Sequence, residues 1–195
     1  MMRKGQQREP AVGRSFEKIT AADLDSGCSL YEECGFIRCS FGSADFTGMT
    51  FRNCTFEGCD LSLARLRDTS LQEVRFRQCK MLGLQFGDCR KLMLQIGFGE
   101  CMLKLSSFNG LDLRNTVFEG CDLQEADFTG ADLSGATFSH SDLLRATFFR
   151  TNLESADFRT AFSYSIPPEE NRLRKARFSM PEVTGLLDSY GIEIE

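Results

Sequence analysis

Large apolar residues recur at every fifth position along most of this 195-residue chain. The spacing is unbroken from Tyr31 to Phe86, and it resumes from Phe98 to Phe158 shifted by two positions. A small residue (Cys, Ala, Ser or Thr) stands two positions before most of the large ones. Neither a helical period of about 3.6 residues nor the alternating period of an open-sheet strand fits this pattern. It therefore predicts five-residue units that each turn one large and one small side chain inward.

A longer period shows how the units stack. Phenylalanine recurs at every twentieth position, except for one step between Phe76 and Phe98 that is longer by two positions. Cysteine follows the same steps, with the same exception between Cys79 and Cys101. Four units therefore make one coil, and stacked coils bury their inward side chains against each other. The two extra residues predict a small bulge, which we place at Arg90-Lys91 because removing that pair leaves a regular unit.

Units such as CDLQE (121–125), ADLSG (131–135) and TNLES (151–155) resemble the pentapeptide-repeat family, whose consensus is A-[D/N]-L-x-x. The resemblance covers about residues 30–160, and Phe16 and Phe178 extend it. It implies an all-β solenoid, a right-handed quadrilateral β-helix, to which the sequence adds a short C-terminal capping and dimerisation helix. The predicted boundaries are a flexible tail at 1–14, the β-helix at 15–178 with a loop at 162–171, and the C-terminal segment at 179–195.

The C-terminal segment has the sequence of a capped helix followed by an edge strand. Ser179–Glu182 matches the S-x-x-E capping box, and Gly191 suits the end of a helix that runs to about Tyr190. Its apolar stripe either caps its own rod only or forms a two-fold contact with a second copy. The resemblance favours the homodimer, because drug-resistance members of the family pair in this way. The predicted interface residues are Val183, Leu186, Leu187, Tyr190, Ile192 and Ile194.

Composition argues against an enzyme. Eight of the nine cysteines fall at inward small positions, where buried small side chains are expected more often than zinc ligands. The single histidine, His140, falls at an outward position, and no nucleophile and base are brought together by the repeat. A polar, basic N-terminus without an apolar signal segment predicts a cytoplasmic protein with reduced thiols. We therefore expect no catalysis, no cofactor, no metal site and no membrane contact.

Charge is unevenly distributed along the chain, whose formal net charge is -5. Acidic and basic residues balance between 31 and 90, whereas the stretch 119–132 contains acidic residues and no basic one. Aspartate in the second slot of a unit can accept a hydrogen bond from the local backbone, so a solvated structural role is one interpretation. The other is mimicry of duplex DNA, a rod with one negative charge per ~1.7 Å. The candidate partner-binding residues are Glu119, Asp122, Glu125, Asp127, Asp132, Asp142 and Glu154, with Arg90 and Lys91 as a contact at the bulge.

Two further stretches carry a narrower resemblance. Residues 73–86 (EVRFRQCKMLGLQF) and 176–195 (ARFSMPEVTGLLDSYGIEIE) are similar to the branch of the family that confers albicidin resistance, microcin B17 immunity and quinolone resistance. This resemblance implies binding to DNA gyrase and topoisomerase IV, and protection of these enzymes from a poison without direct contact to nucleic acid. The larger loops of the quinolone-resistance proteins are missing, which favours an albicidin-like or peptide poison. The alternative is a structural or interaction scaffold with no topoisomerase role.

Overall fold

The computed structural model describes residues 10–24 and 27–193 as short strands wound into a four-sided coil. The strands are β1 (Ala11–Val12), β2 (Ser15–Glu17), β3 (Leu30–Glu32), β4 (Gly35–Ile37), β5 (Thr50–Arg52), β6 (Thr55–Glu57), β7 (Ser70–Gln72), β8 (Val74–Arg77), β9 (Ile96–Gly99) and β10 (Phe118–Glu119). Short 3-10 helices occur at Ala21–Asp23, Phe86–Asp88, Pro168–Glu170, Val183–Leu186 and Asp188–Tyr190.

All strand pairs are parallel and join residues of successive coils. One sheet has the order β1-β3-β5-β7, and the other has the order β2-β4-β6-β8-β9-β10. The other two sides of the coil are held by isolated parallel bridges between equivalent positions of neighbouring coils, such as Ser40 with Asp60 and Asp45 with Arg65. Such bridges continue to the pair of Asp157 with Arg177 near the C-terminal end. The structure confirms the predicted four-sided β-solenoid.

We label the four sides of the coil by their inward columns of large side chains. Wall A contains Phe16, Phe36, Phe56, Phe76, Phe98, Phe118, Phe138, Phe158 and Phe178. Wall B contains Phe41, Leu61, Met81, Leu103, Leu123 and Leu143. Wall C contains Phe46, Leu66, Phe86, Phe108, Phe128 and Phe148. Wall D contains Tyr31, Phe51, Leu71, Leu113, Leu133 and Leu153. The chain passes through the walls in the order A, B, C, D, so walls B and D lie on opposite sides of the rod.

The phenylalanines of wall A form one continuous stack along the described rod. Neighbouring ring centroids lie between 4.6 Å and 5.5 Å apart, with nearly parallel planes. The spacing follows from the strand separation of about 4.8 Å, because each ring is held directly above its counterpart in the previous coil. Phe118 stacks on Phe98 at 5.2 Å and on Phe138 at 5.0 Å, and it is fully buried.

The small inward positions of wall B form a column of cysteines, Cys39, Cys59, Cys79, Cys101 and Cys121. They and the other four cysteines are buried, as the repeat predicted for eight of the nine. The thiols of this column donate to backbone carbonyls; Cys79 Sγ, for example, lies 3.4 Å from the oxygen of Phe56. Elsewhere in the core, burial raises the pKa of Cys89 to about 12 and that of Cys54 to about 11. These two thiols therefore stay protonated at neutral pH.

The two extra residues lie slightly after the predicted pair Arg90-Lys91. The Arg90 N–H still donates to the Thr69 carbonyl at 2.8 Å, in the regular register. Met93 has a φ of 59°, the positive value expected one regular coil after Glu73. The partner of Val74 in the next coil, however, is Ile96 instead of Leu94. Leu94 and Gln95 are therefore the insertion. Lys91 occupies the position where the repeat normally places an inward apolar side chain, but it is exposed. Leu94 packs against the core instead, and this shifts the insertion toward the C-terminus of the predicted pair.

The N-terminal end of the solenoid differs from the prediction. The solenoid starts before residue 15, because Ala11 and Val12 already pair with Tyr31 and Glu32. At the other end, Phe178 returns to the wall A stack as expected, at 5.3 Å from Phe158.

The predicted C-terminal helix is wrong: two 3-10 helices take its place, and Ile192 is not in a strand. The capping box does not form, because the Glu182 carboxylate instead accepts a hydrogen bond from the Ser163 N–H at 3.2 Å. Gly191 ends the second 3-10 helix with a φ of 60°, as the sequence suggested.

Replacing Phe118 with Ala should lower the free energy of unfolding by about 3–5 kcal/mol, because it leaves a cavity between two stacked rings. Val117→Ala is the control, since Val117 is the adjacent residue but points outward and is 47% exposed. We expect that control to stay within about 0.5 kcal/mol of the parent. Urea unfolding followed by circular dichroism measures the free energy of unfolding of both variants. Equal losses in the two would contradict the placement of Phe118 in an inward column.

Candidate partner-binding surface

Aspartates in the second slot of a unit bind the backbone of the following corner. In each, one carboxylate oxygen accepts a hydrogen bond from the N–H two positions later, at 2.9 Å to 3.3 Å. This supports the local backbone role inferred from the sequence, and it leaves the second oxygen and the charge at the surface. The residues that share this bond are Asp45, Asp60, Asp112, Asp122, Asp127, Asp132, Asp142 and Asp157.

The predicted acidic residues do not lie on one face. They encircle the C-terminal half of the rod, because successive five-residue units occupy successive walls. We call this set the acidic band. Glu119 is on wall A, Asp122 and Asp142 are on wall B, Glu125 is at the corner of walls B and C, Asp127 is on wall C, and Asp132 and Glu154 are on wall D.

Within the acidic band, wall B holds the closest group of carboxylates. Asp122 and Asp142 occupy directly bridged positions in neighbouring coils. Gln124 links them, because its backbone N–H donates to Asp122 and its side-chain amide donates to Asp142 Oδ2 at 2.8 Å. Lys104 lies 3.7 Å from the Glu125 carboxylate and 3.4 Å from the Gln124 amide oxygen. Within the described chain, no Lys or Arg forms an ion pair with Asp122 or Asp142.

On wall D the acidic residues are engaged more fully. Asp132 Oδ1 accepts hydrogen bonds from the Ser134 hydroxyl at 2.7 Å and from the Asn152 amide at 3.0 Å. Asp112, on the same wall, is held by Arg114 in a contact of 2.6 Å. The negative charge of wall D is therefore partly compensated by its own side chains.

Wall B also carries apolar side chains that the sequence analysis missed. They stand at outward positions of the repeat, which is the signal that could have identified them. Four lie in the coils before the acidic group and two lie beside or beyond it. They are Leu63 (61% exposed), Leu82 (43%), Met102 (51%), Leu105 (48%), Leu144 (43%) and Phe162 (41%).

The predicted contact at the bulge is only partly available. Arg90 is exposed, but the Lys91 ammonium donates to the Gly110 carbonyl at 3.0 Å, which ties it to the next coil. The side chains that project furthest here are Leu92 and Met93, which are 80% and 67% exposed.

The predicted dimer residues divide into two groups. Leu186 packs against the core and Val183 is half-buried, so Leu186 belongs mainly to the cap of its own rod. Leu187 and Ile192 are exposed, and so is Tyr190, whose hydroxyl donates to Glu169 at 3.1 Å. Ile194 lies outside the described residues. The C-terminal end thus presents an uncovered apolar surface.

Neither a metal centre nor a membrane span is found in the described part of the chain. No group of three or more His, Cys, Asp or Glu residues there is arranged to hold an ion. No helix in the described ranges is long and apolar enough to cross a bilayer.

Comparison with known proteins identifies the repeat. A family model for a pentapeptide repeat region matches residues 29–94, and a model of eight pentapeptide repeats matches 101–139 and 126–162. No curated protein sequence matches the chain significantly. These models describe repeats rather than catalytic domains.

Among solved structures, a trypsin-treated form of QnrB1, a plasmid-mediated fluoroquinolone resistance protein, is similar with a TM-score of 0.56 and 22% identity, over 96% of this chain and 92% of that chain. Full-length QnrB1 gives a TM-score of 0.49 and 20% identity, over 94% and 100% of the two chains. HetL, from the cyanobacterium Nostoc sp. strain PCC 7120, is a pentapeptide repeat protein involved in heterocyst differentiation regulation. It gives a TM-score of 0.32 and 14% identity, over 90% of each chain. At these identities the likeness concerns the fold.

Acid should destabilise the rod through its paired aspartates. Hydrogen bonds from Arg114 and from Arg159 hold the pKa of Asp112 and Asp157, respectively, below the usual value. A lowered folded-state pKa stabilises the fold fully above the ordinary pKa of about 4, and this contribution is lost as pH falls through the folded-state value. We expect the thermal midpoint to fall below about pH 4 and to fall less steeply in Asp112→Asn/Asp157→Asn. If the thermal midpoints of the parent and of this variant fall equally steeply with pH, the paired aspartates are not the cause of the acid sensitivity.

Proposed function

Because the chain belongs to the pentapeptide-repeat family, we propose that it is a non-enzymatic DNA mimic that binds DNA gyrase and topoisomerase IV and protects them from a poison. The acidic band carries the proposal. It surrounds the C-terminal half of the rod, so a basic groove that holds duplex DNA would meet carboxylates on more than one wall. The solenoid holds these carboxylates on a frame of parallel coil-to-coil pairings.

The fold likeness to QnrB1 is consistent with this function, since QnrB1 is a fluoroquinolone resistance protein. The only break in the regular repeat between Phe16 and Phe158 that the described residues show is the insertion Leu94-Gln95. We therefore propose an albicidin-like or peptide poison rather than a quinolone as the agent countered. The second candidate is an interaction scaffold without a topoisomerase, which the exposed apolar side chains of wall B would also serve.

We further propose a homodimer through the C-terminal end. Leu187, Tyr190 and Ile192 leave apolar area at the end of the rod that the chain itself does not cover. A two-fold contact would bury that area on both copies at once. The cytoplasm, where both proposed topoisomerases act, is the proposed location.

The direct test is gyrase supercoiling in a titration with this protein, in parallel with an albicidin-like poison, a fluoroquinolone and no drug. We expect restored supercoiling with the albicidin-like poison at near-stoichiometric protein. Inhibition without any rescue would support DNA mimicry without protection. No effect in any arm would favour the scaffold.

The triple variant Glu119→Gln/Glu125→Gln/Glu154→Gln tests the acidic band in that assay. These carboxylates do not hold the corner turns, so the variant should fold normally and protect less. Its matched control is Glu33→Gln/Glu57→Gln/Glu73→Gln, three exposed glutamates outside the band. If both variants protect gyrase equally well, the acidic band does not contribute to protection.

Replacing Leu187 and Ile192 together with Gln should convert the protein to a monomer, because both side chains are exposed at the proposed contact. Light scattering after size exclusion measures the mass. Val117→Gln, an exposed apolar site on wall A, is the control and should leave the mass unchanged. A parent protein that is already monomeric, or a variant that stays dimeric, would contradict this interface.

A further inference from the structure

Of the four walls, wall B combines exposed apolar side chains with carboxylates that have no cationic partner. Leu82 and Met102 belong to successive coils, and Leu144 and Phe162 repeat the same arrangement three coils later. In one outward column of wall B, Asp122 and Asp142 lie between Met102 and Phe162. Lys104, in the same unit as Met102, pairs with Glu125 and not with either aspartate. With a strand spacing of about 4.8 Å, the whole pattern extends roughly 19 Å along the rod.

Among the described residues, the other walls do not place apolar side chains on both sides of unpaired carboxylates. On wall D, the exposed Leu92 and Met93 lie one coil before Asp112, which Arg114 neutralises. On wall C, the exposed ring of Phe149 is covered by the Arg150 guanidinium, which lies 5.0 Å from the ring centroid. On wall A of the described rod, the exposed large apolar side chain is Val117, which lies near Glu119. Wall B is therefore distinguished by exposed apolar side chains on both sides of carboxylates that form no ion pair.

We infer that wall B is the face that docks on the topoisomerase, and that it binds a basic protein surface which places apolar side chains on both sides of its cationic centre. This rests on the proposed function for the identity of the partner. Leu82 with Met102 and Leu144 with Phe162 are the apolar anchors, and Asp122 with Asp142 form the acidic centre between them.

The charge of Asp122 and Asp142 distinguishes between the possible binding partners of wall B. A second copy docked by a two-fold axis through the acidic centre would place the Asp122 and Asp142 carboxylates of both copies against each other, which is unfavourable. Nucleic acid would meet the same repulsion, and it offers no apolar surface for Leu82 or Met102. A protein surface built to bind DNA carries the complementary positive charge.

This docking surface differs from charge mimicry alone in its dependence on salt. Exposed charge pairs are screened at high ionic strength, whereas buried apolar contacts persist. Binding through wall B should therefore keep a component that salt does not remove and that depends on the apolar anchors.

The experiment measures the affinity of the full-length protein for purified gyrase by biolayer interferometry, at low salt and at about 0.3 M salt, where exposed charges are largely screened. Leu82→Gln/Met102→Gln should weaken binding on the order of tenfold at both salt concentrations, as expected for loss of interface anchors. Asp122→Asn/Asp142→Asn should weaken it mainly at low salt and flatten the salt dependence. Asparagine retains the oxygen that accepts the corner hydrogen bond, so this variant keeps the fold.

Matched controls lie on other walls. Val12→Gln/Val117→Gln changes two apolar side chains that are 50% and 47% exposed, close to the values of the tested pair. Asp112→Asn/Asp157→Asn removes two charges from aspartates that make the same corner hydrogen bond. Both controls should bind as the parent does.

The outcomes separate the two proposals. If the parent binds gyrase and the wall B variants bind equally well, or if the controls lose as much affinity, the wall B assignment is overturned and the proposed function stands. If the parent does not bind gyrase at all, the proposed function fails and the assignment fails with it. Circular dichroism of each variant checks that a loss of affinity is not a loss of fold.

Discussion

The structure depends on one constraint: each coil must hydrogen-bond to the coils on either side in a register of four units per coil. This ladder places identical positions of the repeat on top of one another, so that Phe118 must stack between Phe98 and Phe138. It also holds corner residues such as Glu33 and Asn115 at positive φ, a conformation that costs non-glycine residues about 1–2 kcal/mol. The coil-to-coil bonds offset that cost at every corner. Burial of the inward columns then stabilises the whole rod.

The same register separates stability from recognition. Inward positions are nearly uniform along the chain, whereas outward positions vary without disturbing the core. Asp122 shows both functions in one side chain, because one oxygen binds the corner backbone while its charge remains at the surface. A partner therefore encounters four walls that share a scaffold and differ in chemistry. Wall B, with its apolar pairs around Asp122 and Asp142, differs most from wall D on the opposite side.

The sequence predicted the repeat, its four-sided coil and the burial of its cysteines, because a strict period leaves few alternatives. Local departures from the period were harder to predict. The insertion was placed at Arg90-Lys91 by sequence regularity, but packing of Leu94 against the core moved it to Leu94-Gln95. The C-terminal capping box failed because a bond across the rod end, from Ser163 to Glu182, replaced the local one. The acidic residues are close in sequence, and the coil distributes them around the rod, as four five-residue units per coil imply.

Site-specific photocrosslinking shows directly whether wall B is the side of the rod that docks on the topoisomerase. A benzophenone amino acid placed at Leu144 on wall B, or at Ser134 on wall D, reports which side of the rod contacts the topoisomerase. Both positions point outward, and they lie one coil or less apart along the axis. We predict a much higher crosslinking yield to gyrase from Leu144 than from Ser134. Equal yields from both positions, or a crosslink from Ser134 alone, would show that wall B is not the docking side.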